Sequence, residues 1–254
     1  VALFAQIADV YRKTRKPKDI LWNRFVARPL AAVLIPILAP TRITPNQVTF
    51  ASLAVFLAAA AVMVGWRGHV GLIVAAVVLE LSYVLDCVDG QLARLRGTSS
   101  PVGAHLDFLM DELKAFLLVA CAGTRLWQQD GRSVWLLEAL FGLCAVASAI
   151  SLTGFVRRPE YLAATGAARP KSAGDYGDGF AAAASETAPR SLVQKAMGAV
   201  EGLGRFIVHY PSYIVFVAAA NRLDIFLRVY IAINMAYAAR TILAVARKLG
   251  RSGT

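Results

Sequence analysis

The chain reads as an all-α polytopic membrane protein, with six transmembrane helices preceded by an N-terminal interfacial amphipathic helix. Three observations predict this. Of its 254 residues 57% are hydrophobic and only 17% charged, with a mean hydropathy of +0.56, too apolar for an ordinary soluble domain. Apolar segments of roughly 20 residues, the length that crosses a hydrocarbon core, follow one another nearly end to end. The basic residues gather in alternating connections. One membrane domain accounts for the whole: a basic juxtamembrane segment over 1–43, six spans over 44–248 with a loop at 157–190, and a tail over 249–254.

Residues 1–43 are basic and amphipathic. Val1 to Val10 lacks the basic flank and the cleavage site of a secretory leader. From Ile20 to Leu38, Arg24 and Arg28 are interleaved with apolar residues, and Pro29 and Pro36 predict kinks. Trp22, Phe25, Leu30 and Val33 supply an apolar face, so the segment reads as a kinked helix lying on an anionic leaflet. The first span opens at Thr44-Pro45-Asn46, with Thr44 as N-cap and Pro45 at the first helical position. Phe50 to Val64 continues it, and Gly65 to His69 is a turn. Val70 to Leu85 is the second span, with helix signal on to Arg96. Gly97 to Pro101 breaks the pattern. Val102 to Leu126 is the third span and Val134 to Phe155 the fourth. Arg157 to Arg190, rich in Ala, Gly, Ser and acids, is a loop. The fifth span falls within Leu192 to Ala220, kinked at Pro211, and the sixth is Leu223 to Val245.

Net charge is +11, which on a soluble chain would point to nucleic acid. Its placement excludes that reading. Of the 27 Lys and Arg, only Arg67, Arg125, Arg132 and Arg222 fall in the connections on one side, and Lys114 and Arg228 fall inside spans. The rest share the other side, which the positive-inside rule makes cytoplasmic, with both termini. Cys87, Cys121 and Cys144 have no CxxC spacing, so neither a zinc site nor a disulfide framework follows.

Asp86 to Asp111 is the stretch that carries chemistry. Asp86 and Asp89 are one turn apart at the end of the second span; Asp107 and Asp111 are one turn apart at the start of the third. A short turn makes the helices antiparallel, so the two pairs can face each other. Four carboxylates at close quarters cannot all stay ionised without cations. Ionisable residues at the edge of a membrane segment mark function by default. One or two divalent ions resolve the charge. Mg²⁺ favours carboxylate and phosphate oxygens, and paired metals stabilise an in-line phosphoryl displacement. Gly90 and Gly103 allow close approach, and Arg94 aims a charge at a phosphate. Cys87 reads as small packing, since oxygen-rich sites select hard cations.

The pattern Asp86-x2-Asp89-Gly90-x2-Ala93-Arg94-x8-Gly103-x3-Asp107-x3-Asp111 resembles the signature of the CDP-alcohol phosphotransferase (phosphatidyltransferase) family at all eight fixed positions. Thr44-Pro45-Asn46 and the six-span plan are similar to that family too. The resemblance spans most of residues 20–245 and is weakest over 157–205. It implies an enzyme of phospholipid synthesis in a bacterial inner membrane. A CDP-alcohol would give its phospho-alcohol group to an acceptor hydroxyl, and CMP would leave. Asp86, Asp89, Asp107 and Asp111 would hold two Mg²⁺ or Mn²⁺ ions. Asp111 would be the general base, with Asp107 also in the catalytic set. Asn46, Asp86, Gly90, Ala93 and Arg94 would bind the nucleotide. Arg157, Arg158, Arg205 and His209 are candidates for an acceptor phosphate, against a purely topological reading of these bases. The commonest bacterial arrangement is CDP-diacylglycerol with a polar alcohol. The alternative is a soluble donor, CDP-inositol, CDP-choline or CDP-ethanolamine, with inositol phosphate or diacylglycerol as acceptor. The family is often dimeric, and the small residues Ala232, Ala236, Ala238 and Ala239 suit either a homodimer or the bundle interior.

Four further residues have plainer readings. Arg96 satisfies topology, His105 is structural, and Lys114, three residues after Asp111, balances charge. Glu80, inside the second span, is a helix–helix hydrogen-bond partner or lines a cavity. A non-catalytic scaffold or a transporter is the competing class. A scaffold need not keep all four Asp, and a transporter would carry its polar groups at mid-membrane.

Overall fold

A computed structural model describes residues 2–14, 19–166 and 209–252, and every regular element among them is helical. The helices are α1 (Ala2–Thr14), α2 (Arg28–Leu38), α3 (Pro45–Gly65), α4 (His69–Arg96), α5 (Pro101–Asp130), α6 (Val134–Val156), α7 (Pro159–Thr165), α8 (Ile214–Ala219) and α9 (Leu223–Ser252). Four stretches are long and apolar enough to cross a membrane: Pro45–Gly65, His69–Arg96, Val134–Val156 and Leu223–Gly250. The third expected span coincides with α5, whose length suffices but whose charged residues keep it out of that set. Most of the fifth expected span and of the 157–190 loop lies outside the described residues. Of the expected loop, the described part departs from a loop in carrying the short helix α7, opened by Pro159 and closed by Gly166; of the fifth span, what is described is a tight turn at Tyr210–Ser212, containing Pro211, followed by α8.

The chain divides into two compact units. The first comprises Val1–Leu117 and Pro211–Arg222. Its α3 starts as the sequence predicts. Thr44 caps the backbone N–H of Gln47, and the Gln47 side chain returns the bond to the Thr44 N–H at 2.9 Å, a full capping box with Pro45 at the first position. Ser52 and Ser82 let α3 and α4 approach closely: each hydroxyl donates to the other's carbonyl at 2.8 Å. Gly97 ends α4 with φ +65°, a left-handed C-cap that an L side chain rarely adopts.

The N-terminal segment is helical without a break over 21–38, within the Ile20 to Leu38 stretch expected, and a further helix precedes it. One turn of wide, π-type backbone at Asn23–Ala27 leads into α2, and α1 is a separate helix packed against it. Val10, Ala27, Ala31, Ala32, Ile35, Val84, Val88 and Leu92 form their common core with α4. Phe25, Leu30 and Val33 are exposed, joined by Leu21 and Ile37, so the apolar outer face exists. Trp22 is not part of it. Its indole N–H donates to Glu80 at 3.3 Å and its ring meets Phe216 edge-on. A polar tether fixes the segment to α4: Asp19 holds Arg28 and Asn23, Asn23 accepts from Tyr83 at 2.7 Å, and Gln91 donates to the Arg28 carbonyl at 3.0 Å.

The second unit comprises Leu118–Tyr210 and Leu223–Thr254. Small residues let its helices close. Gly123 lies against Ala139 and the Trp135 carbonyl, and a Cβ at Gly142 would come within 2.9 Å of both Ile231 and Val119. Thr153 and Tyr237 share a hydrogen bond of 2.9 Å across α6 and α9.

Candidate functional site

The carboxylates meet where α4 ends and α5 begins. Asp86, Asp89 and Asp107 each offer an oxygen, and the three oxygens lie within 4.8 Å of one another. The helical spacing turns Asp86 and Asp89 to one face, and the sharp stop at Gly97 lets α5 return alongside. Polar residues of α3 supply the next layer. The Thr49 hydroxyl donates to Asp89, and Ser52 Oγ lies 3.2 Å from Asp86. Asp89 is buried and Asp86 is nearly so, its side chain 8% exposed. This donor set is all carboxylate oxygen, it is fixed by neighbouring hydroxyls, and it fits a hard divalent cation.

Asp111 adjoins that trio, its side chain hydrogen-bonded to Asp86. It lies 3.7 Å from the Lys114 ammonium and remains 33% exposed. Lys114 is buried, with Nζ 2.6 Å from Asp86 and 2.9 Å from Ser52. Its sequence reading as a charge balancer therefore understates its position. Thr49, Ser52, Ser82 and Lys114 are absent from the sequence-derived site. A signal for the hydroxyls does exist: Thr49/Ser52 and Ser82/Asp86/Asp89 recur at helical spacing within apolar runs.

The remaining candidates distribute as follows. Asn46 reaches the start of α5, where a Cβ on Gly103 would come within 3.6 Å of its Oδ1. Arg94 lies over Gly90, with Nη1 3.2 Å from where a Cβ would stand. Its Nε donates to the Thr14 carbonyl at the end of α1 at 2.8 Å, while Nη2 is buried without a hydrogen-bond partner among the described residues. Ala93 is half-buried on the same turn. Arg96 does more than satisfy topology. Its guanidinium donates to the carbonyls of Leu38, Ala39, Thr41 and Ile43, closing the C-terminal end of α2 and holding the loop that leads to Thr44 and the first turn of α3, where Asn46 stands. His105 has a local bond, 2.6 Å to the Pro101 carbonyl. Glu80 is the partner of Trp22, as its hydrogen-bonding alternative proposes. Arg157, Arg158 and His209 belong to the second unit, with Arg157 and Arg158 between α6 and α7; Arg205 lies outside the described residues.

A family model described as CDP-alcohol phosphatidyltransferase matches residues 42–182. Two relatives share part of the chain. A phosphatidylinositol phosphate synthase of Corynebacterium glutamicum is 32% identical over 99 residues, covering 39% of this chain and 40% of that protein. An archaetidylinositol phosphate synthase of Aeropyrum pernix is 36% identical over 73 residues, covering 29% of this chain and 37% of that protein. The matched region thus spans well under half the length of either relative.

Proposed function

Since this chain belongs to the CDP-alcohol phosphatidyltransferase family, we propose that it transfers a phospho-alcohol group from a CDP-alcohol to an acceptor hydroxyl and releases CMP, as an integral membrane enzyme of phospholipid synthesis. The observation that carries the reading is the trio Asp86, Asp89 and Asp107, whose oxygens converge within 4.8 Å of one another. The relatives' names, one phosphatidyl and one archaetidyl, favour a CDP-linked lipid as donor, CDP-diacylglycerol in the phosphatidyl case, and inositol phosphate as acceptor. The soluble-donor alternative loses ground, because both names end on an inositol phosphate lipid.

In this reading Asp86, Asp89 and Asp107, with Asp111 completing the cluster, would hold two Mg²⁺ or Mn²⁺ ions. Held there, such ions would supply positive charge against the pyrophosphate and the charge developing during displacement. Gly90 and Ala93 leave room for the nucleotide, Asn46 and Asp86 bind it, and Nη2 of Arg94, without a hydrogen-bond partner among the described residues, is available to a phosphate oxygen. Asp111, at the more exposed rim, accepts the proton of the acceptor hydroxyl as its oxygen bonds to the phosphorus bearing the alcohol. The pyrophosphate P–O bond breaks and CMP carries off the electron pair. Arg157, Arg158, Arg205 and His209 are the proposed contacts of the acceptor's phosphate. Both termini and the acids face the cytoplasm, and α5 serves as the third span. The exposed face of Phe25, Leu30 and Val33 rests on the membrane surface.

The test is CMP release by purified protein in detergent with Mg²⁺, across donors and acceptors. The donors are CDP-diacylglycerol, CDP-inositol, CDP-choline and CDP-ethanolamine. The acceptors are inositol phosphate, glycerol phosphate, serine and diacylglycerol. Inositol-phosphate-dependent CMP from CDP-diacylglycerol is the expected result. Release only with a soluble donor overturns the substrate assignment, and a folded protein that binds neither nucleotide nor metal overturns the reaction.

A further inference from the structure

Lys114 is 2% exposed, among the most buried large side chains of the described residues. Burying an ammonium is costly unless it is paired and hydrogen-bonded. Its partners are particular. Nζ sits 2.6 Å from Asp86 Oδ1, 3.7 Å from Asp111 Oδ1 and 2.9 Å from Ser52 Oγ. Ser52 is itself held, donating to the Ser82 carbonyl at 2.8 Å, so its oxygen is a fixed acceptor and the ammonium is anchored. Asp86 is also one of the three residues whose oxygens converge within 4.8 Å. One carboxylate therefore serves two cation positions.

We propose that Lys114 is a resident counter-ion of this centre, a positioning residue that draws on the Asp86 carboxylate also used by the divalent cation and thereby sets how tightly that cation is held. The inference rests on the metal reading of the acid trio. Its physical basis is Coulombic. A positive charge a few ångströms from the site lowers the potential that attracts a second cation, and the low-dielectric surroundings screen this little. Lys114 also keeps Asp86 and Asp111 from repelling each other when no divalent ion is bound. A moderate metal affinity follows, with a cluster that stays assembled as ions come and go.

The test uses the full chain in detergent and reads Mn²⁺ binding directly, by the paramagnetic resonance signal of free Mn²⁺. Thermal unfolding is recorded in EDTA and in Mn²⁺. Lys114→Met should tighten Mn²⁺ binding by on the order of tenfold. It should also lower the melting temperature in EDTA by far more than in Mn²⁺. Ser52→Ala, which keeps the ammonium but removes its anchor, should shift Mn²⁺ affinity in the same direction by a smaller factor. This variant carries the test if Lys114→Met does not fold. Mn²⁺ affinity that is unchanged or weaker, with melting lowered equally in both conditions, makes Lys114 a packing residue and overturns the proposal. If the parent chain itself binds no Mn²⁺, the metal reading fails first and this inference fails with it.

Discussion

The α3–α4 pair of the first unit and the α6–α9 pair of the second are both apolar helix pairs closed by small residues, yet they treat charge in opposite ways. In the first, Ser52 and Ser82 bring the helices together and the polar line continues into Thr49, Asp86, Asp89 and the buried Lys114. In the second, Gly142 packs on Ile231, Thr153 meets Tyr237, and an ion pair across the helices, Glu138–Arg228, has its Arg 55% exposed. An exposed pair costs little and stabilises little. A buried cluster of acids is costly, and it persists where a cation or a reaction offsets that cost. The contrast separates a helix contact that only packs from one that carries chemistry.

Perturbing each region should therefore give different signatures. The largest effect is expected from EDTA, which should abolish acceptor-dependent CMP release and allow recovery on adding Mg²⁺; full activity in excess chelator would remove the metal from the scheme. Asp111→Asn should lower kcat by roughly 10²–10⁴-fold, the range of a lost general base. CDP-alcohol binding should survive in that variant, and normal turnover would assign the base elsewhere. Next comes Arg96→Met, which frees four carbonyls and the loop before Asn46. A loss of about 1.5–3 kcal/mol is expected from its charged hydrogen bonds, with donor KM raised severalfold and kcat nearly kept. In the second unit, Gly142→Leu should cost about 1–3 kcal/mol by overpacking, read as a lower melting temperature with kcat per folded molecule within about threefold. Smallest is Arg228→Gln, for which no change in melting temperature or activity is expected. A large activity loss there would give the second unit a chemical role that its exposed pair does not predict.

Local signals account for what is legible without coordinates. Thr44-Pro45 is the cap and first turn of α3 because capping depends on neighbours in sequence, and Gln47 completes the box three residues on. The break at Gly97–Pro101 is legible because Gly97 alone tolerates φ +65° there. The fourth span is expected over Val134 to Phe155 and found over Val134–Val156, since apolar runs this long leave little choice. Trp22 is misread because its position on an apolar face is correct for a free helix, while Glu80, 58 residues away, draws its indole inward. Arg96 is under-read because its partners are carbonyls on a segment more than 50 residues earlier.

The sequence by itself determined the membrane class, the order of most helices, and the two acid pairs, because hydropathy, capping and helical spacing act within a few residues. Only the tertiary structure decided which three acids converge, which hydroxyls brace them, and that Lys114 enters the cluster. Those outcomes depend on how α3, α4 and α5 pack. A buried charge takes whatever partners that packing brings within hydrogen-bond reach, and no local pattern encodes them.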